Sequence, residues 1–127
     1  MHAIAPVLTD LDAARLKALG EQAMTRFVDD EAAIVPRELI APDVVTVHST
    51  VSFRDVATDS VHRVTLVFPD AVSVSSGRIS ILSPVGRALL GRTVGARTAF
   101  TTPEGISRPL RVLAVHYQPE AAGDSAL

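Results

Sequence analysis

The side chains that can do chemistry in this chain of 127 residues are few, since it has no cysteine and four histidines. Without cysteine, disulfides, thiol catalysis and cysteine-based zinc sites are excluded. No two histidines have the short spacing of a zinc site. Three of them fall in predicted strands, on the side opposite the apolar residues, which favours a surface or structural role. The histidines are His2, His48, His62 and His116, of which the last three lie in the predicted strands.

The run Asp29-Asp30-Glu31 is the most suggestive acidic cluster, because two carboxylates can hold Mg²⁺. Consecutive residues of a helix point about 100° apart, however, and Arg26 shares the polar face. A solvated helix surface is therefore the preferred interpretation. Glu21 offers a single carboxylate near the tip of a helical hairpin, which is too few for a metal site. We predict no catalytic residue, no metal ligand and no cofactor.

Five arginines surround a predicted short helix and the last predicted strand, in a chain whose net charge is −2. They form either a modest basic patch or a scatter of surface charges. The acidic balance argues against non-specific nucleic-acid binding through a basic surface, so no nucleic-acid readout is expected. The arginines are Arg87, Arg92, Arg97, Arg108 and Arg111.

The elements that position these residues begin with two helices. The first runs from Thr9 to Leu19, with Thr9 as its N-cap and Asp12 completing a variant of the capping box. The second runs from about Ala23 to Val35 and stops at Pro36. Together they predict a short antiparallel helical hairpin, which with its linker takes up residues 1–42. Its predicted tip consists of Gly20, Glu21 and Gln22.

From residue 43 the apolar spacing changes to two, which predicts a mostly antiparallel sheet of four or five strands. In the last strand, Leu113, Val115 and Tyr117 share one side. Residues 43–120 are predicted to form the second domain, and 121–127 a flexible tail. The strands are expected at 45–53, 62–68, 98–102 and 108–117.

The stretch from Ile79 to Gly95 contains the short helix of this second part. Ser83 stands where an N-cap belongs, and Pro84 follows at the first helical position, where its missing N–H costs nothing. Gly91 can take the left-handed conformation that ends a helix. The stretch holds no nucleophile, acid or metal ligand, so its role is first of all structural.

Bulk properties point to a cytoplasmic protein without membrane contact. Hydrophobic residues make up 47% of the chain, which is enough for a core. The first residues lack the features of a signal peptide, and no apolar run approaches the roughly 20 residues needed to span a bilayer. We expect a monomer.

The run I-S-I-L-S-P-V-G-R-A-L-L-G at residues 79–91, followed by Val94-Gly95, resembles the C-terminal domain of the bacterial Gre transcript-cleavage factors. Residues 45–55, 65–70 and 110–120 look closest to the branch of that family called regulator of nucleoside diphosphate kinase, or Rnk. The resemblance implies an α+β fold, with a short antiparallel helical hairpin followed by an FKBP-like antiparallel sheet with one short helix. Ala96 departs from the family pattern, which has aspartate there.

The resemblance also implies RNA polymerase as the partner, docked at the rim of its secondary channel. Ser83, Pro84, Arg87 and Arg92 are then the candidate docking residues. In Gre factors a long coiled coil carries acidic residues to the polymerase active site. A helix of 11 to 13 residues reaches only about 16 to 20 Å at 1.5 Å per residue, and the predicted tip lacks paired acids. We therefore expect a non-catalytic regulator that competes with Gre factors.

Two alternatives remain open from the sequence. The first is true Gre-type transcript cleavage. The second is an FKBP-type prolyl isomerase, which needs an aromatic-lined pocket, whereas this chain has four Phe, one Tyr and no Trp. Analogy at the level of the fold alone is weak support for that activity.

Overall fold

A pair of parallel strands closes the base of the helical region in the computed structural model, which describes residues 5–124. The chain runs through β1 (Val7–Thr9), α1 (Asp10–Ala18), α2 (Gln22–Arg26), a π-helical turn (Phe27–Glu31) and β2 (Ala33–Val35). Strand β1 pairs with β2 in the register Val7 to Ala33 through Thr9 to Val35. The predicted first helix is confirmed, and the Thr9 hydroxyl oxygen accepts the N–H of Asp12 at 3.0 Å.

The second predicted helix is wrong in its last part. Helical structure ends at Glu31, and Ala33–Val35 is a strand. The apolar residues there fit either structure, and the pairing with β1 satisfies the backbone in the extended form. That pairing joins segments more than twenty residues apart, so no local pattern reveals it. A short 3₁₀ helix, Arg37–Leu39, follows β2.

A mixed sheet of five strands forms the second part of the molecule, which confirms the expected α+β class. The strands are β3 (Thr50–Asp55), β4 (Ser60–Val67), β5 (Arg78–Ser80), β6 (Arg97–Thr101) and β7 (Ser107–Tyr117). Their order in the sheet is β5-β4-β3-β7-β6, and only the β4–β5 pair is parallel. One helix, α3 (Pro84–Leu89), lies in the connection between β5 and β6.

Irregular pairing between β3 and β7 changes which residues of β7 face the core. Val51 is paired with Val115, but Phe53 is paired with Val112, so the register shifts between them. A bulge of this kind moves the side chains beyond it to the opposite face. Leu110 and Val112 are consequently buried, while Leu113, Val115 and Tyr117 are half-buried. A second shift pairs Thr50 with Tyr117, so Val115 and Tyr117 are opposite adjacent residues of β3 and lie on different faces of the sheet. The expected shared side of Leu113, Val115 and Tyr117 is therefore wrong.

Both parts of the chain contribute to one hydrophobic core. Leu16, Met24 and Phe27 of the helical region belong to the same buried cluster as Val51 of β3 and Leu89 of α3. A boundary at residue 42 stays a prediction. None of the helices in the described part of the chain has the length and apolarity needed to cross a lipid bilayer.

The last residues that the structure describes form a short helix and a side-chain hydrogen bond. Helix α4 spans Pro119–Ala122, so Ala121 and Ala122 are helical rather than part of a flexible tail. The Tyr117 hydroxyl then donates to the Asp124 carboxylate at 2.9 Å. Residues 125–127 lie outside the described residues.

Candidate docking site around helix α3

Local hydrogen bonds build the start of α3 as its sequence predicts. The Ser83 hydroxyl oxygen accepts the N–H of Gly86 at 3.2 Å, and the hydroxyl donates to the carbonyl of Ser80 at 2.6 Å. Pro84 occupies the first helical turn and is exposed. The Ser83 hydroxyl is thus engaged within the fold, whereas Pro84 is exposed to solvent.

Two glycines hold α3 against its neighbours. A Cβ on Gly86 would lie 2.1 Å from the Ser80 carbonyl oxygen, so only glycine allows this closeness to the end of β5. Gly91 has φ of 81°, the left-handed conformation expected at the end of the helix. Its N–H donates to the Val45 carbonyl at 2.8 Å, and its carbonyl accepts the N–H of Val7 at 2.9 Å. The end of helix α3 is therefore joined both to the segment before β3 and to β1.

Pro84 lies between two grooves on this side of the molecule. One, of about 450 Å³, runs between α3 and β6 and is lined by Arg87, Arg92 and Glu31; we call it the polar groove. The other, of about 480 Å³, is lined largely by apolar side chains and is called the apolar groove. Its lining includes Val72, Val74, Val85, Phe100 and Pro103. Val74 is 85% exposed and Val72 is 43% exposed, so this groove presents apolar surface to solvent.

The structure brings together three of the four predicted docking residues, namely Pro84, Arg87 and Arg92, along the polar groove. Ser83 lines the apolar groove beside them. The remaining arginines do not join this patch. Arg108 forms an ion pair with Asp55 at 2.7 Å, while Arg97 and Arg111 are exposed and opposite each other on β6 and β7.

The predicted hairpin tip is built differently from an acidic tip that presents a carboxylate. Glu21 is the N-cap of α2, and its two carboxylate oxygens accept the N–H groups of Ala23 at 3.0 Å and Met24 at 2.7 Å. Gly20 and Gln22, on either side, are exposed. The carboxylate of Glu21 is therefore committed to the backbone of its own helix.

The acidic run Asp29-Asp30-Glu31 lies in the exposed π-helical turn. The Lys17 ammonium donates to Asp29 at 2.9 Å, across the gap between the two helices. Within residues 5–124, no group of three or more His, Asp or Glu side chains is placed to hold a metal ion. The run is a solvated face with one ion pair.

The histidines have structural contacts. His62 stacks on Phe53 with ring centroids 5.3 Å apart, and His116 Nε2 lies 2.6 Å from the Ser52 hydroxyl oxygen. The expected strand position of His48 is wrong, because it lies in a turn before β3 with φ of 73°. His2 falls outside the described residues.

A buried polar network joins the helical region to the sheet and to α4, and sequence reasoning missed it. The Asp12 carboxylate accepts the N–H of Val47 at 3.1 Å instead of reaching back to its own helix terminus. The Thr46 hydroxyl donates to Glu120 at 2.7 Å, and Arg37 forms an ion pair with Glu120 at 3.3 Å. The sequence predicted that Asp12 caps its own helix, and no local pattern indicates its contact with Val47.

Burial raises the pKa of Asp12 to about 6, because a charged carboxylate is poorly solvated there. The hydrogen bond from Val47 lowers the pKa, and the nearby charge of Glu120 raises it further. The carboxyl group of Asp12 therefore titrates close to neutral pH.

Comparison with known proteins identifies the family. The model of the family described as transcription elongation factor GreA/GreB, C-terminal, matches residues 40–117. This chain belongs to the GreA/GreB family. The match covers the sheet, α3, the apolar groove and the polar groove except for Phe27 and Glu31, and it confirms the resemblance inferred from residues 79–95.

Relatives within the GreA/GreB family differ in how much of their length the chain spans. The regulator of nucleoside diphosphate kinase of Escherichia coli K12 is 38% identical, with 95% of this chain and 96% of that protein aligned. A transcription elongation factor GreA from Solidesulfovibrio magneticus is 36% identical, but only 61% of its length is covered. A solved GreA/GreB structure from Nitrosomonas europaea superposes with a TM-score of 0.71, 36% identity and coverage of 90% of this chain and 99% of that one.

Proposed function

We propose that this protein is a non-catalytic regulator of transcription that binds RNA polymerase at the rim of its secondary channel and competes there with Gre factors. Membership of the GreA/GreB family and the relative that matches along 95% of the chain support this proposal. The protein would act as a monomer, without a cofactor and without reading nucleic-acid sequence.

The observation that carries the non-catalytic part is the state of Glu21. Its carboxylate caps α2 with both oxygens, so the tip offers no free acid to a catalytic Mg²⁺. Helix α1 has nine residues, which corresponds to about 13 Å. A helical hairpin of that length keeps its tip near the body of the protein. The protein would then occupy the secondary-channel rim without stimulating RNA hydrolysis.

The docking part of the proposal is supported by the surface around Pro84. The polar groove, which contains Arg87 and Arg92 as well as Glu31, meets the apolar groove at this residue. Apolar contact supplies affinity, and an acidic complement opposite Arg87 would set orientation. The polymerase face bound here should thus combine an apolar projection with carboxylates.

The decisive experiment is competition between this protein and GreA for backtracked RNA polymerase. We expect increasing amounts of the protein to suppress GreA-stimulated RNA shortening, and Arg87→Glu to raise the concentration needed at least tenfold. Arg54→Glu is the matched control, because Arg54 is an exposed arginine on β3 that lines neither groove. No suppression at saturating concentration would contradict the docking proposal. RNA shortening by this protein alone would contradict the non-catalytic one.

A further inference from the structure

Away from α3, two adjoining grooves share His48 on their common wall. One, of about 680 Å³, lies between the end of α1 and the end of β4, where Leu19 and Phe68 line it. The other, of about 460 Å³, is lined by Arg78 and Tyr117. We call the pair the His48 cleft. Each groove alone lies within the range of about 300–1,000 Å³ typical of small-molecule sites.

The charges of the His48 cleft favour an anion. Arg15 lines the first groove and Arg78 the second, and neither forms a salt bridge with another residue in the described part of the chain. Asp70 is the single acid among the described residues that line the cleft. Glu120, Asp124 and Asp70 also act electrostatically on His48, so the place for an anion is the second groove, where Arg78 lines the wall and none of the described lining residues is an acid.

His48 is held in place by its backbone and its ring. Its φ of 73° is uncommon for a residue other than glycine, and its N–H donates to the Leu66 carbonyl at 2.7 Å. The imidazole meets the Phe68 ring edge-on, with centroids 5.6 Å apart and planes at 68°. Burial, and then the charge of Arg15, lower the pKa of His48, so the ring is neutral at pH 7 with one donor and one acceptor nitrogen. Strained backbone of this kind is concentrated at binding sites.

The two grooves differ in chemistry. The first has an apolar wall made of Leu19, Phe68 and Pro69, with Asp70 beside it. The second has hydroxyl groups, since Thr50 and Thr65 line it next to Arg78. The two threonine hydroxyls are 2.7 Å apart, so one of them donates to the other and the accepting hydroxyl keeps its own proton for a further partner. A ligand that fills the cleft therefore needs a flat apolar body at one end and an anion at the other.

We propose that the His48 cleft binds a nucleoside phosphate. The phosphates lie in the second groove, against Arg78 and the threonine hydroxyls, and the base lies in the first groove, against Phe68. His48 bridges the two parts, with its neutral ring able to donate to a phosphate or ribose oxygen. This site adjoins the surface around Pro84 at Arg78, which lines both the apolar groove and the second groove of the His48 cleft. The inference does not depend on RNA polymerase binding.

The test is titration of the full-length protein, observed through backbone amide NMR shifts and calorimetry, with ADP, adenosine, inorganic pyrophosphate and a short oligoribonucleotide. We expect ADP to bind with submillimolar affinity and to shift the backbone amides of residues 48, 65–68, 70, 71 and 78. Adenosine and pyrophosphate should each bind at least tenfold more weakly, because each fills only one groove.

Variants then separate the site from general anion binding. Arg78→Gln and His48→Asn should each weaken ADP binding at least tenfold, and asparagine tolerates the positive φ of position 48. Arg97→Gln, an exposed arginine on β6 that lines neither groove, should leave it unchanged. The inference is overturned if ADP causes no shifts at millimolar concentration, if pyrophosphate binds as tightly as ADP, if Arg97→Gln weakens binding equally, or if only the oligoribonucleotide binds.

Discussion

The carboxylate of Asp12 accepts the backbone N–H of Val47 at 3.1 Å, although the two residues are 35 positions apart. Both are buried, at 2% and 1% exposure. Asp12 lies in the first turn of α1. Val47 lies in the turn before β3 and belongs to the hydrophobic core. The bond therefore fixes the helical region on the sheet through a single ionisable group, which makes this contact sensitive to pH.

The first prediction concerns the pH dependence of stability. The pKa of Asp12 is raised from 3.8 to about 6, so between these pH values the folded chain binds more protons than the unfolded chain. The contribution of Asp12 to stability is thus fully present below pH 4 and is lost as the pH rises through 6. At about 1.4 kcal/mol per pKa unit, the loss is about 2 to 3 kcal/mol.

Asp12→Asn removes this titration while keeping an oxygen for the N–H of Val47. The unfolding free energy is measured by urea denaturation at pH 4.5 and pH 7.5. On going to the higher pH, we expect the variant to lose about 2 kcal/mol less stability than the parent protein. Asp30→Asn, in the exposed π-helical turn, should behave like the parent protein. An unchanged pH dependence in Asp12→Asn would show that Asp12 does not titrate in this range.

The second prediction is that Glu21 acts as a helix cap. Glu21→Ala leaves the N–H groups of Ala23 and Met24 without their side-chain acceptor, and should lower the free energy of unfolding by about 1 kcal/mol. The matched control is Glu104→Ala, an exposed acid in the turn between β6 and β7, which should change it by less than about 0.5 kcal/mol. Equal effects of the two variants in urea denaturation would argue against the capping role.

The third prediction concerns the space for α3. An alanine at position 86 would place its Cβ 2.1 Å from the backbone oxygen of Ser80, so α3 must move away from β5. We expect Gly86→Ala to destabilise the protein by about 2 to 4 kcal/mol. Gly105→Ala has open space around its Cβ and should cost only the strain of its positive φ, about 1 to 2 kcal/mol. Thermal or urea unfolding that ranks Gly105→Ala as the worse variant would contradict the packing of α3 described above.

The fourth prediction contrasts two ion pairs of the same chemistry. Asp55 and Arg108 are 2.7 Å apart with side chains 9% and 30% exposed, whereas Arg54 and Asp59 are 3.4 Å apart and 48% and 81% exposed. Removing one partner of a pair shielded from water leaves a poorly solvated charge, so Asp55→Ala should cost about 2 to 3 kcal/mol. Asp59→Ala should cost less than about 1 kcal/mol. The comparison is made by urea denaturation at low and high salt, and only the Asp59 effect should vanish with salt.

The features that could be predicted from the sequence depend on neighbouring residues. Ser83, Pro84 and Gly91 specify the start and end of α3 within nine positions, and the structure follows them. The pairing of Ile34 with Leu8 could not be predicted, because the apolar pattern around Ile34 fits a helix equally well. The extra residue in β7 near Leu113 escaped notice for a similar reason, since a bulge is a property of two paired strands.

The closeness of the candidate docking residues could be predicted from the sequence, whereas the use of their polar atoms could not, and their role in docking stays a prediction. Pro84, Arg87 and Arg92 do line one groove, but the hydroxyl of Ser83 is occupied by the cap that also identified it in the sequence. At the tip of the hairpin, the carboxylate of Glu21 is likewise occupied, because it accepts the N–H of Met24. A polar residue that suits a helix terminus can either cap it or face a partner, and the sequence does not distinguish the two uses.

The parallel pairing of β1 with β2 has a consequence for how this architecture can vary. The two strands pair at residues 7–9 and 33–35 and so hold both ends of the helical segment together. In the turn between the helices, a Cβ added to Gly20 would have no neighbouring atom within 4 Å. Pairs of residues inserted there would lengthen both helices outward and leave the strand pair and the sheet unchanged. The length of the helical hairpin can therefore change without a change in the rest of the fold, so the same sheet and strand pair can support a short or a long hairpin.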